Sequence, residues 1–317
     1  MKKIVFFGSS HFASECLRTL HNADDIEVCL VISQPDKPFG RKKVLKPTPV
    51  SECALELGLK LERPPSMKKL APLYMLRELD YELGVVVAYG QIIPQRVLDT
   101  ASVAFINGHA SDLPRFRGAA PMERALMEGD LESALCIMKM SAGLDEGPVL
   151  ARYPIDLSGK PDIFELESLM LKECQRGLLE VIRDVENHLA QAKVQSSTGV
   201  SYAQKLSVED AYVNLEDQTS HELDCRLRGL KRNYGLIFSW KGKKFIVWDA
   251  CFETGAATDV EPGTVIKRTK KELEVALING LMSVKTIQVE GKKKLELNQF
   301  LAGSPIQDGD KINSFSI

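Results

Sequence analysis

The chain has 317 residues, with 41 Lys and Arg against 43 Asp and Glu, for a formal net charge of −2. That length favours two domains over one core. The near-neutral balance excludes binding to nucleic acid through bulk positive charge, while leaving room for a local basic patch. The seven cysteines (Cys16, Cys29, Cys53, Cys136, Cys174, Cys225, Cys251) include no Cys-x-x-Cys pair. Their scatter argues against a zinc site and for reduced thiols in a cytoplasmic protein. No apolar run approaches membrane-spanning length.

The amino-terminal half alternates strand and helix. Residues 4–7 form a first strand, too short an apolar run for a signal peptide. A helix follows to about Leu20, then a strand over 26–33 and a long loop over 34–49. Helices are expected over 50–59 and 67–79, with a short strand near Leu61 between them. Strands then cover 83–88 and 103–106, a helix 119–127 and a strand 134–140. This rhythm predicts an α/β domain, a Rossmann-like, doubly wound and mostly parallel sheet with helices on both faces.

The carboxyl half changes character. A long helix is predicted over 161–189, because Leu166, Met170, Cys174, Leu178, Ile182, Val185 and Leu189 fall at steps of three and four. The polar stretch after it reads as a linker. Thr219-Ser-His-Glu222 has the form of a capping box that opens a short helix. Short strands follow over 236–240, 244–248, 262–266, 274–278 and 282–289, with a last one near Phe300. That spacing predicts a small, OB-like β-barrel. The expected domains are therefore 1–190, a linker over 191–208, and 209–317.

The chemistry concentrates after the strand at 103–106. Asn107 and His109 stand two residues apart and project to the same face of an extended chain. Ser111, Pro114 and Gly118 punctuate the loop beyond, and Pro121 opens the next helix. Polar groups at the carboxyl end of such a strand sit where open α/β sheets bind ligands. A second strand end supplies Asp145 between Gly143 and Gly147. An amide and an imidazole can donate to the oxyanion of a tetrahedral intermediate. An aspartate beside the imidazole orients the ring and can relay a proton. The set suits acyl transfer to an amine that attacks directly. Taken singly, each residue reads better as a turn, a cap or a satisfied histidine; the three at neighbouring strand ends favour function.

Two basic regions stand out. The loop over 34–49 carries Lys37, Arg41, Lys42, Lys43 and Lys46, suited either to phosphates or to plain solvation. Lys241, Lys243, Lys244, Lys267, Arg268, Lys270 and Lys271 lie near turns of the carboxyl half, among nearly as many acids. The turn at Gly8 lacks the glycine pattern of a dinucleotide site.

Several motifs together resemble the methionyl-tRNA formyltransferase family, within the folate-dependent formyltransferases. They are Asn107-Gly-His109, Ser111-Asp-Leu-Pro114, Arg115-Phe-Arg-Gly-Ala-Ala-Pro121 and Gly143-Leu-Asp145, with Gln34-Pro-Asp-Lys-Pro38, Gly40-Arg41, Val86-Val-Ala-Tyr-Gly90 and Tyr202-Ala-Gln-Lys-Leu206. The resemblance implies formyl transfer from 10-formyltetrahydrofolate to the α-amine of methionine on initiator tRNA, by a monomer that needs no metal. It implies catalysis by Asn107, His109 and Asp145, and folate contacts from Ser111, Asp112, Leu113, Pro114, Tyr89 and Gly90. Arg41, Lys42 and Lys43 would meet tRNA, together with the barrel. Asp112 departs from the family's usual Leu, and Lys231-Arg-Asn-Tyr-Gly235 lacks the family's prolines. Two other readings remain open: a formyltransferase for an amino sugar or small amine, and a tRNA-binding module without catalysis.

Overall fold

In a computed structural model that describes residues 1–39, 44–255 and 259–315, the chain forms two compact units. One comprises Met1–Pro121, Glu132–Asp156 and Glu167–Gln204, and the other Met122–Leu131, Leu157–Leu166 and Lys205–Ile317. The stretch expected as a linker over 191–208 is not a free tether. Up to Gln204 it belongs to the first unit, where Lys193 pairs with Val149 and Tyr202–Ala203 pairs with Arg117–Gly118.

In the first unit the strands are Lys2–Gly8 (β1), Ile26–Ile32 (β2), Lys37–Phe39 (β3), Val44–Lys46 (β4), Leu61–Glu62 (β5), Leu83–Val87 (β6), Ala104–His109 (β7), Arg117–Gly118 (β8), Glu132–Lys139 (β9), Val149–Asp156 (β10) and Tyr202–Ala203 (β11). The main sheet has the order β10-β9-β7-β6-β1-β2-β5. Its pairs from β7 to β5 are parallel, while β9 and β10 run antiparallel at one edge. Helix His11–His21 (α1) follows β1, and its first turn is capped by the Ser10 side chain, which accepts from the Ala13 N–H. Every residue of β6 is buried, as a strand covered on both faces requires. Phe7, Tyr81, Val86, Tyr89 and Phe105 join one core cluster.

The strand order reverses between β1 and β6, and a doubly wound sheet opens its binding crevice there. The carboxyl ends of these strands are tied together. Ser9 Oγ and Gln34 Nε2 both donate to the Tyr89 carbonyl, at 3.0 and 2.6 Å. β7 lies beside β6, so its end faces the same crevice.

Differences from the sequence reading have physical causes. The loop over 34–49 contains the paired strands β3 and β4. The strand β10 carries Pro154, which a sheet tolerates at its edge. A short helix Gln95–Leu98 precedes β7. The long carboxyl helix is two, Ile163–Arg183 and Val185–Ala190, separated at Asp184, although its apolar stripe is buried from Leu166 to Val185.

The second unit is antiparallel. Its strands are Leu236–Trp240 (β12), Lys243–Thr254 (β13), Val265–Arg268 (β14), Leu273–Leu277 (β15), Gly280–Val289 (β16), Lys294–Glu296 (β17) and Asn313–Ser314 (β18), in the order β14-β15-β16-β13-β12-β18 with β17 on β16. The sheet curls until its ends meet. The Val265 N–H donates to the Asp310 carbonyl and the Ile312 N–H to the Gly263 carbonyl, both at 2.8 Å. Phe238, Trp240, Phe245, Met282 and Phe300 line an apolar interior. Phe300 sits on a short helix, Leu297–Ala302, where a strand was expected. The capping box is present: Thr219 accepts from the Glu222 N–H and opens the helix Ser220–Leu230, while Glu222 accepts from the Thr219 N–H.

The segment without prolines turns by other means. Lys231 bridges Asp162 and Asp249 at 3.2 and 3.1 Å. Gly235 then takes a φ of 64°, and a Cβ there would stand 2.5 Å from the Val247 carbonyl oxygen. That position admits only glycine.

Candidate active site

Asn107 and His109 share one face of β7, and both are buried. Gly108 between them lies on the other face, against the helix Ile163–Arg183, where an added Cβ would meet Cys174 Sγ at 2.8 Å. The motif therefore needs glycine for packing and two polar residues for the site. Asp145 does not come from the end of a parallel strand, because β9 is antiparallel to β7. It comes from the loop joining β9 to β10, which folds back so that Asp145 Oδ2 lies 3.8 Å from His109 Nδ1. His109 and Asp145 are thus brought together, and Asn107 shares the strand face of His109. His109 is 6% exposed and Asp145 16%.

The opposite imidazole nitrogen, Nε2, lies 3.0 Å from the Phe116 carbonyl oxygen. A carbonyl only accepts, so this contact assigns a proton to Nε2. Nδ1 is then the ring nitrogen left to face Asp145.

Both partners are set by unusual backbone. Phe116 and Asp145 have φ of 56° and 50°. This left-handed region costs an ordinary residue roughly 1–2 kcal/mol. Each position is held by hydrogen bonds, which contribute about 1 kcal/mol apiece. The Phe116 N–H donates to Ser201 Oγ at 2.9 Å, and the Gly118 N–H donates to Asp145 Oδ2 at 2.9 Å. Gln195 Nε2 donates to the carbonyls of Asp145 and Gly147, at 2.8 and 2.7 Å. The buried Arg117 fixes the other end of that amide, donating through Nε and Nη2 to Gln195 Oε1. The sequence reading missed Gln195 and Ser201, since a polar stretch without periodicity gave no signal for them.

The loop after β7 is equally constrained. Ser111 is fully buried and its Oγ donates to the Arg115 carbonyl at 2.7 Å. Leu113 packs with Cys136 and Met138, and burial pushes the Cys136 thiol up to about 12. Pro114 follows a cis peptide bond. Asp112 takes a two-pronged ion pair from Arg152 on β10, whose Nη2 also meets Glu132. The hydrogen bonds to Asp112 and then Glu132 raise the Arg152 pKa.

Tyr89 and Gly90 divide in role. The Tyr89 ring is buried against Phe7, with its hydroxyl unpartnered, and burial raises that hydroxyl's pKa. Its side chain belongs to the core of the first unit. Ala88 and Gly90 beside it are exposed and have φ of 42° and 75°, a turn that presents backbone to the crevice. Arg41, Lys42 and Lys43 lie outside the described residues.

An imidazole and an amide buried on one strand face, with a carboxylate beside the imidazole at the mouth of a doubly wound sheet, are the kinds of group that a group-transfer enzyme uses. Comparisons with known proteins sharpen this. Residues 1–182 match the family described as "Formyl transferase", and residues 205–305 match "Formyl transferase, C-terminal domain". A "Methionyl-tRNA formyltransferase" of Dechloromonas aromatica is 35% identical over 98% of this chain and 99% of its own. One of Symbiobacterium thermophilum is 36% identical over 99% of this chain and 96% of its own. Among solved structures, the N-formyltransferase of Helicobacter canadensis, in complex with folinic acid and dTDP-3-aminofucose, has a TM-score of 0.63 at 16% identity. It is matched over 93% of this chain and 100% of its own. HypX of Aquifex aeolicus in complex with tetrahydrofolic acid has a TM-score of 0.58 at 16% identity, over 98% of this chain and 50% of its own. The chain belongs to the formyl transferase family, and to the methionyl-tRNA formyltransferases within it.

Proposed function

We propose that this chain, working as a cytoplasmic monomer, transfers the formyl group of 10-formyltetrahydrofolate to the α-amino group of methionine on initiator methionyl-tRNA. The observation that carries the chemistry is the approach of Asp145 to His109 Nδ1, with Asn107 on the same strand face. The relatives' names carry the choice of acceptor.

The co-substrate supplies an activated formyl carbon. Ser111, Asp112, Leu113 and Pro114, with the main chain at Tyr89 and Gly90, hold it along the crevice. An apolar Leu113 and an exposed, left-handed backbone turn suit a flat, hydrogen-bonding ring system. As the unprotonated amine attacks, charge develops on the formyl oxygen. The Asn107 amide and an N–H at His109 Nδ1 donate to it. Asp145 holds the ring and accepts the amine's proton, directly or through a water. Collapse of the tetrahedral adduct then breaks the bond between the formyl carbon and N10 of the folate, which takes up that proton and leaves as tetrahydrofolate. Fixing Nε2 on Phe116 leaves Nδ1 no competing orientation.

Arg41, Lys42 and Lys43 meet phosphates of the acceptor stem, and the barrel meets another part of the tRNA. Cation–aromatic pairs of the carboxyl unit, half-buried apart from the exposed Lys294, support this. Lys294 Nζ stands 3.8 Å from the Trp248 ring centre, and Lys244 lies near Tyr212 and Phe315. Such pairs suit contact with phosphates and bases.

The fold also resembles sugar formyltransferases. A labelled-formyl assay therefore offers charged initiator tRNA, free methionine and a dTDP-linked amino sugar in parallel. Label is expected on the tRNA alone. Label on the sugar alone would replace the acceptor and keep the chemistry, and label on none of the three would remove both. Arg41→Ala should raise KM for tRNA by about tenfold, through loss of a phosphate contact, and leave KM for the folate unchanged.

A further inference from the structure

We infer that Gln195 is a positioning residue for the transfer step, setting Asp145 against His109 by gripping its main chain. The inference rests on the catalytic reading given above. Gln195 comes from the polar stretch that closes the first unit, far in sequence from the strands that carry the site.

The geometry is specific. A single amide nitrogen spends both of its N–H groups on the loop, one on the Asp145 carbonyl and one on the Gly147 carbonyl. Those carbonyls flank the point where the loop turns back to the site. Asp145 is there in a left-handed conformation that the chain does not favour by itself. Gly147 is packed so tightly that an added Cβ would overlap the Lys139 carbonyl oxygen. The loop is thus pinned at its far side by packing and at its turn by Gln195.

The orientation of the amide is also imposed. Arg117 donates twice to Gln195 Oε1, so the nitrogen must face the loop. Arg117 lies between Phe116, whose carbonyl holds His109, and Gly118, whose N–H holds Asp145. One three-residue segment therefore carries the contacts that place the imidazole, the carboxylate and the amide behind the carboxylate. A shift of Gln195 moves Asp145 relative to His109 without touching either side chain. Misplacement of a reacting group by about 1 Å costs on the order of 10²-fold in rate.

The test compares Gln195→Ala, Gln195→Glu and Asp145→Ala in the full chain, with methionyl-tRNA and 10-formyltetrahydrofolate. Gln195→Glu keeps the side chain's length and its pairing with Arg117, but aims an oxygen at two carbonyls. The expected result is a fall in kcat on the order of 10²-fold in both Gln195 variants. KM for each substrate should stay within about twofold, the signature of a loss confined to the transition state. The melting temperature of Gln195→Glu should fall by only a few degrees, the cost of the two lost hydrogen bonds, with the variant folded at the assay temperature. Wild-type kcat in a folded Gln195→Glu, or a loss expressed only in KM, overturns the inference. If Asp145→Ala keeps full turnover, the catalytic reading fails instead. If Asp145→Ala is inactive while Gln195→Glu is not, only the role of Gln195 falls.

Discussion

The site at the end of β7 and the surface of the barrel use polar residues in opposite ways. At the site, the polar side chains are few, buried or half-buried, and committed. His109, Ser111, Asp145 and Gln195 each make a contact with the main chain at 3.0 Å or less. On the barrel, charge is abundant, exposed and paired across the surface. Lys267 meets Glu272 at 3.1 Å, Lys311 meets Glu261 at 2.9 Å and Lys241 meets Asp310 at 3.4 Å. Hydrogen bonds between buried or half-buried groups and the main chain are little weakened by salt and define position, whereas exposed ion pairs contribute little and rearrange readily. The first region is built to hold reacting atoms still, and the second to meet a polyanion by exchanging one set of charge partners for another.

The comparison can be broken at either end. The largest effects belong to the site. Asn107→Ala should lower kcat by about 10²–10³-fold, the cost of one oxyanion donor. His109→Ala should do at least as much, with tRNA affinity nearly unchanged. Single-turnover formylation at saturating substrates measures both. Comparable losses from single lysine substitutions on the barrel would show that the two regions do not differ as described.

A smaller effect is expected at the rim of the site. Arg152→Ala releases Asp112, and the loop from Ser111 to Pro114 loses an anchor. The pair is partly exposed, so its value is about 1 kcal/mol. KM for 10-formyltetrahydrofolate should rise about fivefold. KM for tRNA should not move, and steady-state kinetics with each substrate varied will separate the two.

The smallest effect lies in the carboxyl unit and concerns stability alone. Thr219→Ala removes a helix cap, which costs about 1 kcal/mol. The Thr219 N–H and hydroxyl hold the Glu222 carboxyl below its ordinary value. A carboxylate depressed in the folded state stabilises above its unfolded pKa, near 4.3, and loses that contribution as pH falls through its folded value. The stability difference between parent and variant, from urea unfolding, should therefore be constant near neutrality and shrink in acid. A difference that grew in acid would reverse the sign of this linkage.

Regular elements and the chemistry-bearing types were legible in the sequence for plain reasons. The parallel strands read as continuous apolar runs, and the spacing of Asn107 and His109 placed them on one face. The capping box at Thr219 declared its helix. What stayed hidden depends on the company a residue keeps in space. The edge strand β10 was masked by Pro154, and the direction of β9 by the absence of any local mark of antiparallel pairing. Gln195 and Ser201 act through the main chain of distant residues, which composition and periodicity do not encode. Asp112 looked like a departure from a family pattern until its partner, Arg152, supplied the charge that an apolar residue would not need.

The most direct test of the account is turnover of the isosteric variant Asp145→Asn, with saturating methionyl-tRNA and 10-formyltetrahydrofolate. The amide keeps the side chain's shape and removes its capacity to take a proton. A fall in kcat on the order of 10²–10⁴-fold, with both KM values preserved, is predicted for a group that moves a proton in the transition state. Undiminished turnover would contradict the claim that this carboxylate and His109 work as a pair.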